Sequence, residues 1–243
     1  MDWITGNYIT VAIVIAFAVI LVLYLFAEKK NDGKQGFKKA TALKLTLSSL
    51  FCAVGIISYY LLYTYAHRGG IYLTLQVFVV VGLFVALGGD FFLQYIRLDI
   101  KKFKIGILCF SITQVLFLIP MLVVYRVGWL EFVITAVVLV LVLLMMKKQD
   151  WQLGEAQKAL TVYTILITFM AAKSVTVFLG DHTVGTLLFM IGAILFLVSD
   201  LLLGIWNYNT SKRAHANLNW ISYFSGLMLI ALSMSPEFTT YLG

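Results

Sequence analysis

Two aspartates stand where an aspartate is costly. Asp90 and Asp200 each lie inside a long apolar run, and an acidic side chain at the centre of a bilayer costs about 2.5–3.5 kcal/mol on insertion scales. Such a group needs a partner, a water-filled cavity or a proton. Each stands about seven residues before the end of its run, near Arg97 and Asn207. At a rise of about 1.5 Å per residue, both are roughly 10 Å inside the same membrane boundary. Two carboxyl groups facing one cavity at one depth do not both ionise freely, so one keeps its proton while the other loses it. That division is what general acid/base catalysis requires.

The neighbouring residues suit a polar pocket. Asp90 and Gln94 are four apart on one helical face, with Arg97 three further on. Asp200, Gly204 and Asn207 share a face in the same way. Lys44 and Tyr223 enter near the same boundary from two other runs. The plainer reading is that the aspartates are hydrogen-bonding glue between helices; the matched depth and flanks favour a site. Lys44 has two readings, a phosphate ligand or a lysine snorkelling to headgroups. Lys173 is expected to snorkel outward, Glu131 to sit on the outer rim beside Arg126, and Asp181 to cap a helix.

Other chemistries find no residues to carry them. His67, His182 and His215 fall in loops on different sides of the membrane, whereas a zinc hydrolase needs imidazoles converging on one metal. Cys52 and Cys109 lie within apolar runs and read as packed thiols. There is no G-x-S-x-G elbow, P-loop or Rossmann fingerprint. No metal and no organic cofactor is expected.

The elements that must position the aspartates follow from composition. Of 243 residues, 62% are apolar or aromatic and 12% charged, against roughly 45–50% and about 25% in an average soluble domain. Mean hydropathy is +0.97. The fold class is all-α: a polytopic membrane helix bundle, one transmembrane domain over residues 1–243. Eight spans are expected, at about 8–27, 42–65, 73–96, 103–125, 127–146, 158–179, 183–207 and 218–235. Runs of this length exceed the roughly 9–11 residues of a barrel strand. The first is preceded by Asp2 and followed by Lys29 and Lys30, the reverse of a signal peptide's charge order, so it is expected to remain as a span.

The third and seventh spans echo one another. Gly82 lies eight residues before Asp90, and Gly192 eight before Asp200, each aspartate being followed by three bulky apolar residues. Spans four apart with one direction suggest a parallel four-plus-four repeat. Fourteen of the 18 basic residues fall in the odd-numbered loops, which makes those loops cytoplasmic and puts both termini outside. The formal charge of +7 is therefore a topology signal, and no nucleic-acid partner is expected.

The Gly89-Asp90 and Ser199-Asp200 pairs resemble the two signatures of the YhhN-like lysoplasmalogenase family. Tyr163 with Met170, and Tyr223 followed by Leu229-Ile230-Ala231-Leu232-Ser233, add to the resemblance, which covers nearly the whole chain. Gln114, Phe117 and Leu227 depart from it, standing where the family pattern often has His, Tyr and Gln. The resemblance implies hydrolysis of the vinyl-ether bond of a lysoplasmalogen to a fatty aldehyde and a glycerophospho-alcohol. Asp90 and Asp200 would be catalytic, and Lys44, Gln94, Gln114, Ser199, Asn207 and Tyr223 would bind substrate. The expected ligands are a lysophospholipid or related single-chain amphiphile, its phosphate near Lys44 or Arg97, and membrane lipids; no obligate protein partner is expected. The expected location is a bacterial cytoplasmic membrane. A proton-coupled carrier using the same aspartates and a non-catalytic lipid-binding protein are the alternatives.

Overall fold

The computed structural model describes residues 3–29, 33–65, 71–94, 99–148, 154–208 and 213–236. They form eight long helices: α1 (Trp3–Lys29), α2 (Gly33–Tyr65), α3 (Ile71–Leu93), α4 (Ile100–Val124), α5 (Trp129–Lys148), α6 (Gln157–Gly180), α7 (Val184–Tyr208) and α8 (Arg213–Leu232). A short 3-10 turn, Gly154–Ala156, precedes α6. Helices satisfy their own backbone polar groups, which an apolar surrounding demands. α2 begins well before the expected boundary, because lysine and glutamine are good helix formers and carry the helix beyond its apolar stretch.

Seven of the eight helices are long and apolar enough to cross a membrane. The chain is an integral, multi-pass membrane protein. α8 is the exception, with Arg213, His215, Asn217 and Asn219 in its first half. Its place explains the composition. It packs against α7 and α2, with lighter contact to α3 and α1, and a helix enclosed by protein needs no fully apolar surface.

The packing repeats. α1 packs on α2, α2 on α3 and α3 on α4; α5 packs on α6, α6 on α7 and α7 on α8. Between the halves, α4 packs on α6 and α8 on α2. Replacing each helix by the one four later leaves this pattern unchanged.

Residue register repeats too. Thr113 of α4 donates to the Gly82 carbonyl of α3 at 3.3 Å, and Gly226 of α8 is pressed on the Gly192 carbonyl of α7. Seven residues along each helix, Gly106 faces the Gly89 carbonyl and Asn219 donates to the Ser199 carbonyl at 2.7 Å. The α7–α8 seam is tight: a Cβ at Gly192 would lie 2.6 Å from the Gly226 carbonyl oxygen, and one at Gly226 would lie 2.8 Å from that of Gly192.

Two outer residues differ from expectation. Lys173 is 1% and Glu131 2% exposed, and their charged groups meet at 2.8 Å. Glu131 also accepts from Thr176 and the Gly128 amide, while Lys173 donates to the Arg126 carbonyl. Lys173 does not snorkel, and Glu131 lies beside Arg126 in an outer hollow but is buried there, because each supplies the partner the other needs to be buried. Asp181 departs as well: it accepts from the Tyr125 hydroxyl at 2.5 Å. Thr183 caps α7 instead, accepting from the Thr186 amide at 3.2 Å.

Candidate functional site

Asp90, 1% exposed, projects from α3 into a cluster supplied by α2 and α8. Ser48 of α2 donates to Oδ2 at 2.6 Å, and Tyr223 of α8 donates to the same oxygen at 2.8 Å. The Lys44 ammonium stands 3.2 Å from Oδ1 as an ion pair and donates to the Asp90 backbone carbonyl at 3.3 Å. Oδ1 receives no well-aligned hydrogen bond among the described residues. A buried carboxylate needs its charge compensated, and Lys44 with two hydroxyls does so.

Asp200 has a different environment. It is half-buried on α7 and accepts a hydrogen bond from Tyr163 of α6. Among the described residues no ion pair reaches it. Each aspartate is thus met from the helix preceding its own, by a lysine and a serine in one half and by a phenol in the other.

Both aspartates line one cavity of about 140 Å³. Its polar wall includes Glu28, Thr41, Lys44, Gln94, Asn219 and Tyr223. A second cavity of about 100 Å³ adjoins it and shares Leu93, Phe110, Asp200 and Leu203. An aromatic cluster stands between the two phenols: the Phe110 ring lies 5.9 Å from Tyr223 and 6.5 Å from Tyr163.

The other expected site residues divide. Lys44, Gln94 and Tyr223 line the first cavity, with Gln94 accepting from Thr41 at 2.7 Å. Asn207 lines the second and donates to the Leu203 carbonyl at 2.9 Å. Ser199 and Gln114 are fully buried and lie outside the walls of both cavities. The Ser199 hydroxyl is turned back to the Phe196 carbonyl at 2.7 Å. Arg97 lies outside the described residues.

Ser48 and Tyr163 join the site without having been assigned to it from sequence. Ser48 had a usable signal, standing four residues after Lys44 on the same helical face. Among the described residues, no group of three histidine, cysteine or carboxylate side chains stands close enough to hold a metal ion.

A bundle of membrane helices whose packing repeats, enclosing a pair of carboxyl groups, defines the class of protein. A sequence model of the YhhN family matches residues 56–234, and the chain belongs to that family. No curated protein and no solved structure matches the chain.

Proposed function

We propose that the protein is a membrane-embedded hydrolase that cleaves the vinyl-ether bond of a lysoplasmalogen-type lysophospholipid. One observation carries this reading: the two aspartates share a cavity but not an environment. Asp90 has a cation and two hydroxyl donors, whereas Asp200 has one phenol. The first arrangement supports a carboxylate and the second suits a proton donor. Glycosidases handle a related cation with the same two functions.

The chemistry balances with these two groups alone. Asp200 delivers its proton to the β-carbon of the vinyl ether, leaving an oxocarbenium ion that the Asp90 carboxylate stabilises. Water adds to the cationic carbon as Asp90, through Oδ1, takes its proton. The hemiacetal then collapses: Asp90 returns its proton to the departing glycerol oxygen and Asp200 recovers one from the hemiacetal hydroxyl. The products are an aldehyde and the glycerophospho-alcohol, and both aspartates end as they began.

The lysine-rich end of the bundle is the cytoplasmic one in this reading, so substrate enters from the inner leaflet. The test is mass spectrometry of a lyso vinyl-ether phospholipid incubated with the purified protein in vesicles without a pH gradient. Aldehyde release supports the hydrolase. Lipid-dependent proton flux across vesicles with the lipid chemically intact overturns it in favour of a carrier.

A further inference from the structure

We infer that the two halves of the bundle hold opposite ends of one amphiphile: the polar end in the cavity of the first half, the chain in that of the second, with Asp200 at the junction. This deepens the hydrolase reading by assigning each end of its substrate a seat.

The two cavities are the same place in the repeat. The first is walled mainly by α1, α2, α3 and α8, with Asp200, Leu203 and Trp206 of α7 and Phe110 of α4 completing it, and the second mainly by α5, α6, α7 and α4. The main walls are corresponding helices, and along α3 and α7 and along α4 and α8 the residues correspond in register. Asp90 matches Asp200 and Leu93 matches Leu203, while Tyr223 matches Phe110 between the paired contacts of α4 and α8.

The walls have diverged in opposite directions. The first half presents Glu28, Thr41, Lys44 and Gln94. The second presents Met146, Leu160, Ile167 and Gly204, with Tyr163, Thr164 and Asn207 its polar side chains besides Asp200 and no lysine. A largely apolar chamber, adjoining a more polar one that holds a cation and sharing Asp200 with it, suits a ligand that is apolar at one end and polar at the other. A small polar solute would leave the second chamber empty, and a two-tailed lipid would have one tail without a seat. At about 100 Å³ the apolar chamber accepts only the carbons next to the reacting bond. α5, with only Glu131, Thr135 and Val142 buried, leaves the remainder of the chain access to lipid.

Two photoreactive lysophospholipids test the assignment, both with a saturated ether in place of the vinyl ether so that labelling needs no turnover. One carries a diazirine a few carbons from the ether oxygen, the other a diazirine on the headgroup. The chain probe should label peptides containing Met146 or Leu160, and the headgroup probe peptides containing Glu28 or Thr41. Met146→Trp, on the most peripheral wall, should reduce chain labelling several-fold and leave headgroup labelling in place. Interchanged labelling, chain labelling that Met146→Trp does not change, or labelling confined to outward positions such as Val137 and Val140 would overturn the inference. The split pattern without aldehyde release from the vinyl ether would retire the hydrolase and leave the seating intact.

Discussion

Phe110 and Tyr223 occupy matching places in the two halves of the bundle, their ring centroids 5.9 Å apart, and only Tyr223 carries a hydroxyl, which it donates to Asp90 at 2.8 Å. The repeat is thus broken at one oxygen atom beside the pair of acids. This asymmetry, together with Lys44, separates two carboxyl groups that the duplication would otherwise make alike.

Replacing either acid by its amide should remove the activity. Asp90→Asn and Asp200→Asn are each expected to lower aldehyde release by roughly 10²–10⁴-fold, with the double variant only modestly worse than either single one. Mass spectrometry gives the rate, and gel filtration in detergent checks that each variant is folded. Full activity in either single variant removes that aspartate from the mechanism.

The broken symmetry can be tested from both sides. A hydrogen bond to a charged group contributes about 1.5–3 kcal/mol, so Tyr223→Phe should slow turnover by roughly 10- to 150-fold. Phe110→Tyr should also slow it, because a hydroxyl offered to Asp200 favours its carboxylate over the acid that donates the proton. A faster Phe110→Tyr enzyme would reverse the roles given to the aspartates.

The buried pair Lys173–Glu131 predicts an uneven response. Glu131→Leu leaves the Lys173 ammonium with only the Arg126 carbonyl, and stranding a buried charge costs about 3–5 kcal/mol. Lys173→Met should cost less, since Glu131 keeps Thr176 and the Gly128 amide. The combination Lys173→Met with Glu131→Leu should recover much of the loss. Thermal unfolding in detergent ranks the three.

Two glycines on different helices, Gly226 of α8 and Gly88 of α3, should differ sharply. Gly226→Ala drives a methyl group into the Gly192 carbonyl at 2.8 Å and separates α7 from α8, so a large fall in melting temperature is expected. Gly88→Ala meets nothing within 4 Å and should be neutral or mildly stabilising. Equal melting temperatures would contradict the seam.

Orientation is open to chemical labelling in intact cells. Cysteines at Lys34, Lys101, Lys148 and Lys212 should resist a membrane-impermeant thiol reagent, and one at Asp181 should react. Labelling at two or more of the first four positions would reverse the proposed topology.

Periodicity and composition were enough to find the helices and the echo between Gly82–Asp90 and Gly192–Asp200, because both are patterns along one helix. Contacts between helices left less trace. Lys173 and Glu131 are 42 residues apart, and nothing in their local surroundings announces a pairing, so each read as a surface residue. Ser199 read as a pocket group from its place beside Asp200, yet its hydroxyl is spent on its own helix. Tyr163 appeared only as part of a family pattern until α6 was seen to bring it to Asp200.

The exchange of fourth helices carries a consequence for ancestry. α4 closes the cavity of the second half and α8 that of the first, so neither half holds all its own walls. A chain consisting of one half alone would close both cavities only as a two-fold dimer, each copy lending its last helix to the other. Such a dimer is bound to be identical at its two cavities, since every substitution appears twice. Fusing the copies end to end releases that constraint, and one cavity is then free to hold a lysine that its twin lacks.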